Sequence, residues 1–273
     1  VSAIERPVGV FDSGLGGLTV LRALIDLVPE EDVVYFGDTG RFPYGPKPRD
    51  EVVKYATEIT DLLLERDVKA LVVACNSAAS AALDVLRDRC DIPVVGVVEP
   101  GLRAASRVTI TGRVGVIGTV GTIASGAYQH AADVLARDGR RIELTCAACP
   151  GFVEFVEAGD VDSDQVHVLA ERLLAPVRQA AVDTLVLGCT HYPLLARTIA
   201  DVMGRDVVLV SSADETAFEV RALLESRRER RPADAGRVPV HRFVTSGDVV
   251  TFERLGTRFL GPEVRDVEAW QWT

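Results

Sequence analysis

The chain has 273 residues, 48% of them hydrophobic, and a formal net charge of −10, enough apolar material for two packed cores of ordinary domain size. Its acidic balance, with a pI near 5.0, excludes a general nucleic-acid or anionic-membrane surface, which needs a basic face to displace counterions. No apolar run approaches the ~18 residues of a membrane span. Arg6, Pro7 and Asp12 interrupt any signal-peptide core, and five cysteines, an odd number spread over a long chain, do not form a secreted disulfide framework, so a cytoplasmic protein with reduced thiols is expected.

Pro7 to Asp12 reads as a buried first strand, followed by a glycine turn at Ser13 to Gly17 and an amphipathic helix from Leu18 to Leu27. The glycines have neither the dinucleotide spacing nor a P-loop Lys-Ser/Thr, so tight turning is their reading. Asp12 is different, because a carboxylate at the last residue of a buried strand is costly unless it is paired or used. Asp32 to Phe36 makes a second strand, and the Gly- and Pro-rich stretch from Gly37 to Gly45 an ordered loop whose Phe42 and Tyr44 can wall a pocket or pack on the loop itself. A helix over Asp50 to Arg66, a strand over Lys69 to Ala74, a helix over Ser77 to Asp88 and a strand over Ile92 to Val98, ending at Glu99-Pro100, complete the first lobe.

The βα pattern restarts at Arg113 to Ile117, with Gly118 to Thr122 at the turn and one helix over Ile123 to Leu135. Arg141 to Cys146 is a strand. The Cys146-Ala-Ala-Cys149 that closes it lacks the second ligand pair of a zinc site and does not open a helix as the thioredoxin motif does, so a structural role is expected. Phe152 to Asp160 sets Glu154 and Glu157 among apolar residues, where at least one carboxylate is expected to face a cavity. A single amphipathic helix over Val166 to Ala181, strands over Thr184 to Gly188 and Asp206 to Val210, and a helix capped at Ser211 to Asp214 that runs to about Leu224 follow. Arg227 to Arg231, then Pro232 to Gly236, read as a mobile polar connection, before a strand over Val238 to Thr245 and a helix over Val249 to Leu260 that return to the first lobe.

Two strands end in chemistry. ALVVACNSAASAAL stops at Cys75, Asn76 and Ser77, and TLVLGCTHYPLL at Cys189, Thr190 and His191. The cysteines are offset by 114 residues (189 − 75), and VGVFDSG at Val8 resembles VGVIG at Val114 with an offset of 106 (114 − 8). The fold expected is therefore α/β, two pseudo-symmetric doubly wound lobes with mainly parallel sheets: 1–98 plus 211–273 carrying Cys75, and 99–210 carrying Cys189. In open α/β sheets ligands bind beyond the carboxyl ends of the strands, where helix N-termini offer free N–H groups and favour a thiolate. A free cysteine is usually a small core residue; the paired context, with hydroxyls and an amide just after each, weighs against that here.

Two opposed thiols with no metal and no obvious cofactor suit inversion of a carbon centre, one removing a proton from one face and the other returning one to the opposite face. Lys47, Lys54 and Lys69 are poorly placed for a pyridoxal Schiff base. Nucleophilic catalysis by Cys189 with His191 as base competes with that reading, and leaves Cys75 without a task.

VFDSGLGG, FGDTGRFPYG, ACNSAASAAL and LGCTHYPLL, in that order from Val8 to about Val210, closely resemble the glutamate racemases of the aspartate/glutamate racemase superfamily. The resemblance implies two α/β lobes with the active site in the cleft between them, no cofactor, and D-glutamate supplied for peptidoglycan. It implies that Cys75 acts on D-glutamate and Cys189 on L-glutamate, that Asp12 and His191 tune those thiols, and that Asp12, Ser13, Tyr44, Gly45, Asn76, Ser77, Thr190 and His191 bind substrate. Glu157 and Thr122 are further candidates. Ser77 stands where the family usually has threonine and Gly40 where alanine is common, keeping the needed polarity or size. Glutamate as small-molecule partner and a homodimer are expected, with no membrane and no nucleic acid. The alternatives are aspartate racemisation or a related isomerisation, and, outside enzymes, regulation of a DNA topoisomerase, whose support would be the Arg227 to Arg231 run.

Overall fold

The computed structural model describes residues 2–233 and 236–272. The chain divides into two compact units, Val1–Val97 with Ala213–Thr273, and Val98–Ser212. In chain order the first unit contains β1 (Val8–Asp12), α1 (Leu18–Leu27), β2 (Val33–Gly37), α2 (Arg49–Glu65), β3 (Ala70–Val73), α3 (Asn76–Arg89) and β4 (Val94–Gly96). The second contains α4 (Val98–Val108), β5 (Arg113–Gly118), α5 (Val120–Ala124), α6 (Ala127–Arg137), β6 (Glu143–Ala148), α7 (Phe152–Ala158), α8 (Asp164–Leu173), α9 (Ala175–Gln179), β7 (Thr184–Gly188), a 3-10 turn (Tyr192–Leu195), α10 (Ala196–Met203) and β8 (Val208–Ser211). Then α11 (Ser212–Arg227), β9 (His241–Thr245), α12 (Val249–Phe259) and β10 (Glu268–Ala269) return to the first unit.

Both sheets are parallel throughout. The first runs β10-β9-β2-β1-β3-β4 and the second β6-β5-β7-β8. The stretch β2-β1-β3-β4 repeats as β6-β5-β7-β8, so the two halves share a strand order as well as the sequence echoes at Val8 and Val114. Central strands β1, β2, β3 and β7 are buried along their whole length, because helices cover both faces of a parallel sheet and leave no solvated side. Edge strands β6 and β8 are only partly covered and carry polar residues. Helix α2 buries Val52, Ala56, Ile59 and Leu63 along one face, each large side chain contributing about 1.5–3 kcal/mol.

Several local expectations are corrected. Glu99-Pro100 does not end a strand: β4 stops at Gly96, and both residues lie in the first turn of α4, where proline's missing N–H has no intrahelical partner to lose. The helix expected over Ile123 to Leu135 is two, α5 and α6, separated at Gly126, whose φ of 73° lies in the left-handed region open to glycine. That over Val166 to Ala181 is likewise α8 and α9, because Pro176 has no N–H to give the carbonyl of Arg172. β10 was not anticipated.

Arg227 and Arg228 are exposed, but the carboxyl end of the arginine run is not a solvated linker. Arg230 pairs with Glu30 and Glu225, both at 2.5 Å. Arg231, 4% exposed, reaches Asp32 at 3.0 Å and the carbonyl of Glu5 at 2.8 Å, while its backbone N–H donates to Glu31 at 2.8 Å. These contacts bind the segment to the amino end of β2, since a buried guanidinium has to be paired. Residues 234–235 of the expected connection lie outside the described residues. Lys69 is also consumed structurally: its ammonium sits 2.5 Å from Glu31 at the amino end of β3, held below the usual lysine value by burial. Among the described residues no helix is long and apolar enough to cross a membrane.

Candidate active site

In each unit the chain leaves its first strand in one direction and returns on the other side of it, so β1/β3 and β5/β7 are the places where strand order reverses. In open parallel sheets, ligands bind beyond the carboxyl ends of the strands at such points. Asp12 is the last residue of β1 and Cys75 follows β3; Gly118 ends β5 and Cys189 follows β7. Each cysteine thus stands at its own unit's switch point.

In the first unit, Asp12 is fully buried and its Oδ1 accepts the N–H of Gly14 at 2.8 Å. Gly17 is required beside it, because a Cβ there would lie 2.5 Å from the Cβ of Asp12 and 2.9 Å from the hydroxyl of Tyr35. Cys75 caps α3: its Sγ accepts the N–H of Ala78 at 3.4 Å and lies 3.5 Å from the hydroxyl of Ser13. Donors and a helix N-terminus favour a thiolate, yet burial and then the charge of Asp12 outweigh them and push the Cys75 thiol up to about 12. Burial thus favours the thiol form of this group. Asn76 and Ser77 form the first turn of α3 and are buried with Ser13 at the same end of the sheet.

The loop after β2 brings Tyr44 and Gly45 to this end, both buried. The Tyr44 hydroxyl donates to Asp38; burial, then the Asp38 charge, raise its pKa far above the ordinary tyrosine value, with Cys75 near enough to add to the shift. Asp38 escaped the sequence reading. It is 0% exposed and also accepts from Arg41 Nε at 2.7 Å, Ser246 Oγ at 2.6 Å and the indole N–H of Trp272 at 3.0 Å. The available signal was the one that drew attention to Asp12, a carboxylate directly after a buried apolar strand.

In the second unit, Cys189 Sγ lies 3.9 Å from His191 Nδ1, and His191 Nε2 lies 2.7 Å from Glu157 Oε1. Glu157 reaches across from α7, 34 residues earlier in the chain. Hydrogen bonding of Nε2 to the carboxylate fixes the ring plane and directs Nδ1 at the sulfur. Thr190 is buried between the two residues in sequence. Thr122, buried in α5, shares a hydrogen bond of 2.9 Å with Thr119, the residue that caps that helix directly after β5. Gly188 lets the strand pass where a Cβ would meet the Ile117 carbonyl at 2.6 Å.

Cys146 and Cys149 are both free thiols. Burial pushes Cys149 up to about 12, with Cys189 adding to the shift, and Cys146 up to about 11. The Cys149 carbonyl accepts the hydroxyl of Tyr192 at 3.1 Å, and Tyr192 packs edge-on against Phe152 at 5.4 Å.

Each unit thus presents a buried cysteine at a strand switch point, with a carboxylate near it directly or through an imidazole. Residues 9–219 match the family model described as Asp/Glu/Hydantoin racemase, and the chain belongs to that family. Within it, the similarity is to glutamate racemases. The chain is 53% identical over 261 residues to a glutamate racemase of Acidothermus cellulolyticus, covering 96% of this chain and 97% of that protein. A crystal structure of a glutamate racemase isoform from Bacillus anthracis superposes with a TM-score of 0.89 at 41% identity, over 98% of this chain and 97% of that one. One from Francisella tularensis, solved in complex with D-glutamate, gives 0.89 at 32% identity over 98% of both chains.

Proposed function

We propose that this protein interconverts L- and D-glutamate by two-base proton transfer, with Cys75 and Cys189 serving opposite faces of the α-carbon. The observation that carries the reading is the repetition: two units of one strand order place a cysteine at the same switch point, one beside Asp12 and the other beside His191–Glu157. On L-glutamate, Cys189 as thiolate takes the α-proton while Cys75 as thiol delivers one to the other face; on D-glutamate the roles exchange. One thiol and one thiolate remain after each turnover, so the next molecule processed in the forward sense needs a proton moved back between them.

The free-state elevation of Cys75 fits this cycle. A group that must donate a proton to carbon has to arrive protonated, and the substrate's ammonium, brought beside a buried thiol, favours its thiolate when it must act as base. In this reading Asp12, buried beside Cys75, pairs with that ammonium, while Ser13, Asn76, Ser77, Thr190 and the N–H groups at the start of α3 take the two carboxylates. Tyr44, Gly45 and His191 belong to the same binding set, with Thr122 and Glu157 as further candidates.

Racemisation of L-glutamate in heavy water without added cofactor should yield D-glutamate carrying deuterium at the α-carbon. Cys75→Ala and Cys189→Ala should each abolish interconversion; activity surviving either change refutes the assigned roles. Aspartate offered in place of glutamate separates this reading from aspartate racemisation. For the topoisomerase alternative, deleting the Arg227 to Arg231 run without changing topoisomerase inhibition would remove its sequence support; within that run Arg230 and Arg231 are held in the protein's own ion pairs, whereas Arg227 and Arg228 are exposed. Supply of D-glutamate to peptidoglycan from the cytoplasm, by a homodimer, completes the proposal. Cell fractionation, light scattering and D-glutamate auxotrophy on gene deletion test those three parts.

A further inference from the structure

Segment 268–272 approaches the substrate loop from a direction the sequence does not announce. β10 adds to β9, the N–H of Trp270 donates to the carbonyl of Thr245 at 2.8 Å, and Trp272 comes to rest against Phe36 with ring centroids 5.5 Å apart. From there its indole N–H donates to Asp38 Oδ1 at 3.0 Å, and its ring carries the Arg41 guanidinium 3.8 Å from its centroid. Arg41 is held from the other side by Tyr55, at 4.0 Å, and donates to Asp38 Oδ2. Trp272 therefore touches a buried carboxylate and that carboxylate's counterion at once.

The carboxylate is shared with the substrate loop. Oδ2 of Asp38 takes the Tyr44 hydroxyl and Arg41, and Oδ1 takes Ser246 and Trp272. Four donors fill the four acceptor sites of an ionised carboxylate and fix its plane. Removing one Oδ1 donor leaves that oxygen with a single partner and loosens the carboxylate plane, and with it the Tyr44 hydroxyl held on Oδ2. We propose that Trp272 is a positioning residue for substrate binding, holding the Tyr44–Gly45 loop in register through Asp38 and Arg41. This rests on the reading above, in which Tyr44 and Gly45 contact glutamate.

Trp270 provides the internal comparison. It lies in the same short segment, but its buried indole nitrogen has no hydrogen-bond partner among the described residues. The test is steady-state kinetics with both glutamate enantiomers, together with thermal melting, on the wild type, Trp272→Phe and Trp270→Phe. Phenylalanine keeps an aromatic face for Arg41 and removes the donor to Asp38. Losing a hydrogen bond to a buried charge corresponds to about tenfold, so Trp272→Phe should raise KM about five- to tenfold for both enantiomers with kcat within about twofold. Trp270→Phe should leave both constants within about twofold. Since enantiomers are equal in free energy, kcat/KM must fall by the same factor in both directions, which checks the data internally.

Ser246→Ala removes the other Oδ1 donor without touching the aromatic stack and should raise KM in the same sense. Unchanged KM in either Trp272→Phe or Ser246→Ala overturns the inference. So does a Trp272→Phe effect confined to kcat or to melting temperature, or an equal KM rise in Trp270→Phe. An inactive wild type overturns the functional reading and this inference with it, whereas an active wild type with unaffected variants overturns this inference alone.

Discussion

Replacing Glu157 by glutamine tests the second thiol's partner without removing the thiol. The side chain keeps its size and an oxygen that can accept the Nε2–H of His191, so the 2.7 Å contact survives and the negative charge goes. At about 4 Å and an effective dielectric near 20, unit charges interact by about 4 kcal/mol. Glu157 is 23% exposed, so solvent screens part of this. We expect about 1–2 kcal/mol less stabilisation when His191 carries positive charge opposite the Cys189 thiolate, or about five- to thirtyfold in kcat/KM for either enantiomer. The distinguishing readout is the α-deuterium isotope effect. With Cys189 weakened as the base that attacks L-glutamate, proton abstraction from L-glutamate becomes more rate-limiting, so its effect on kcat/KM should rise more than that for D-glutamate. A fall in activity with the larger rise on the D side, or an activity within twofold of wild type, refutes the placement of Glu157 and His191 behind Cys189.

Because burial pushes Cys75 up to about 12, iodoacetamide should label it slowly at pH 7 in the free protein and about tenfold faster per pH unit while the protein remains folded; mass spectrometry showing rapid labelling at pH 7 contradicts a thiol resting state. At the opposite end of β7, Asp183 is partly desolvated, yet Thr109 Oγ1 at 2.5 Å and the N–H groups of Ile110 and Thr111 at 2.8 and 2.6 Å hold its carboxyl well below the ordinary range. A lowered folded value stabilises above the unfolded value of about 3.9 and is lost as pH falls below it. Asp183→Asn should thus cost about 1–2 kcal/mol at pH 7, with the gap to wild type narrowing below about pH 4 in denaturant titrations; a gap independent of pH refutes the assignment. Gly188→Ala should destabilise by about 1–3 kcal/mol and impair activity, since its Cβ would meet the Ile117 carbonyl at 2.6 Å and the Tyr128 hydroxyl at 2.9 Å. An unchanged melting temperature would show that the strand can yield there.

Local pattern was sufficient for much of the architecture. Runs such as Val8–Asp12 and Thr184–Gly188 are apolar without alternation, the signature of strands buried on both faces, and the apolar periodicity of α2 names its own buried side. The reactive ends of β3 and β7 were legible for the same reason: a polar cluster directly after a buried strand has one place to go. The helix boundaries went wrong where a single residue overrides a periodic pattern, as at Gly126 and Pro176.

What the amino-acid order determined by itself was therefore the α/β class, the internal repeat and the two thiols at strand ends, because each depends on neighbours within one element. Tertiary structure alone decided which groups share a charge. Glu157 meets His191 across 34 residues, the backbone N–H of Arg231 meets Glu31 across 200, and Trp272 meets Asp38 across 234. A buried carboxylate must find donors, but nothing in its own stretch of chain says from how far away they come; only packing of the strands brought these partners within hydrogen-bond reach.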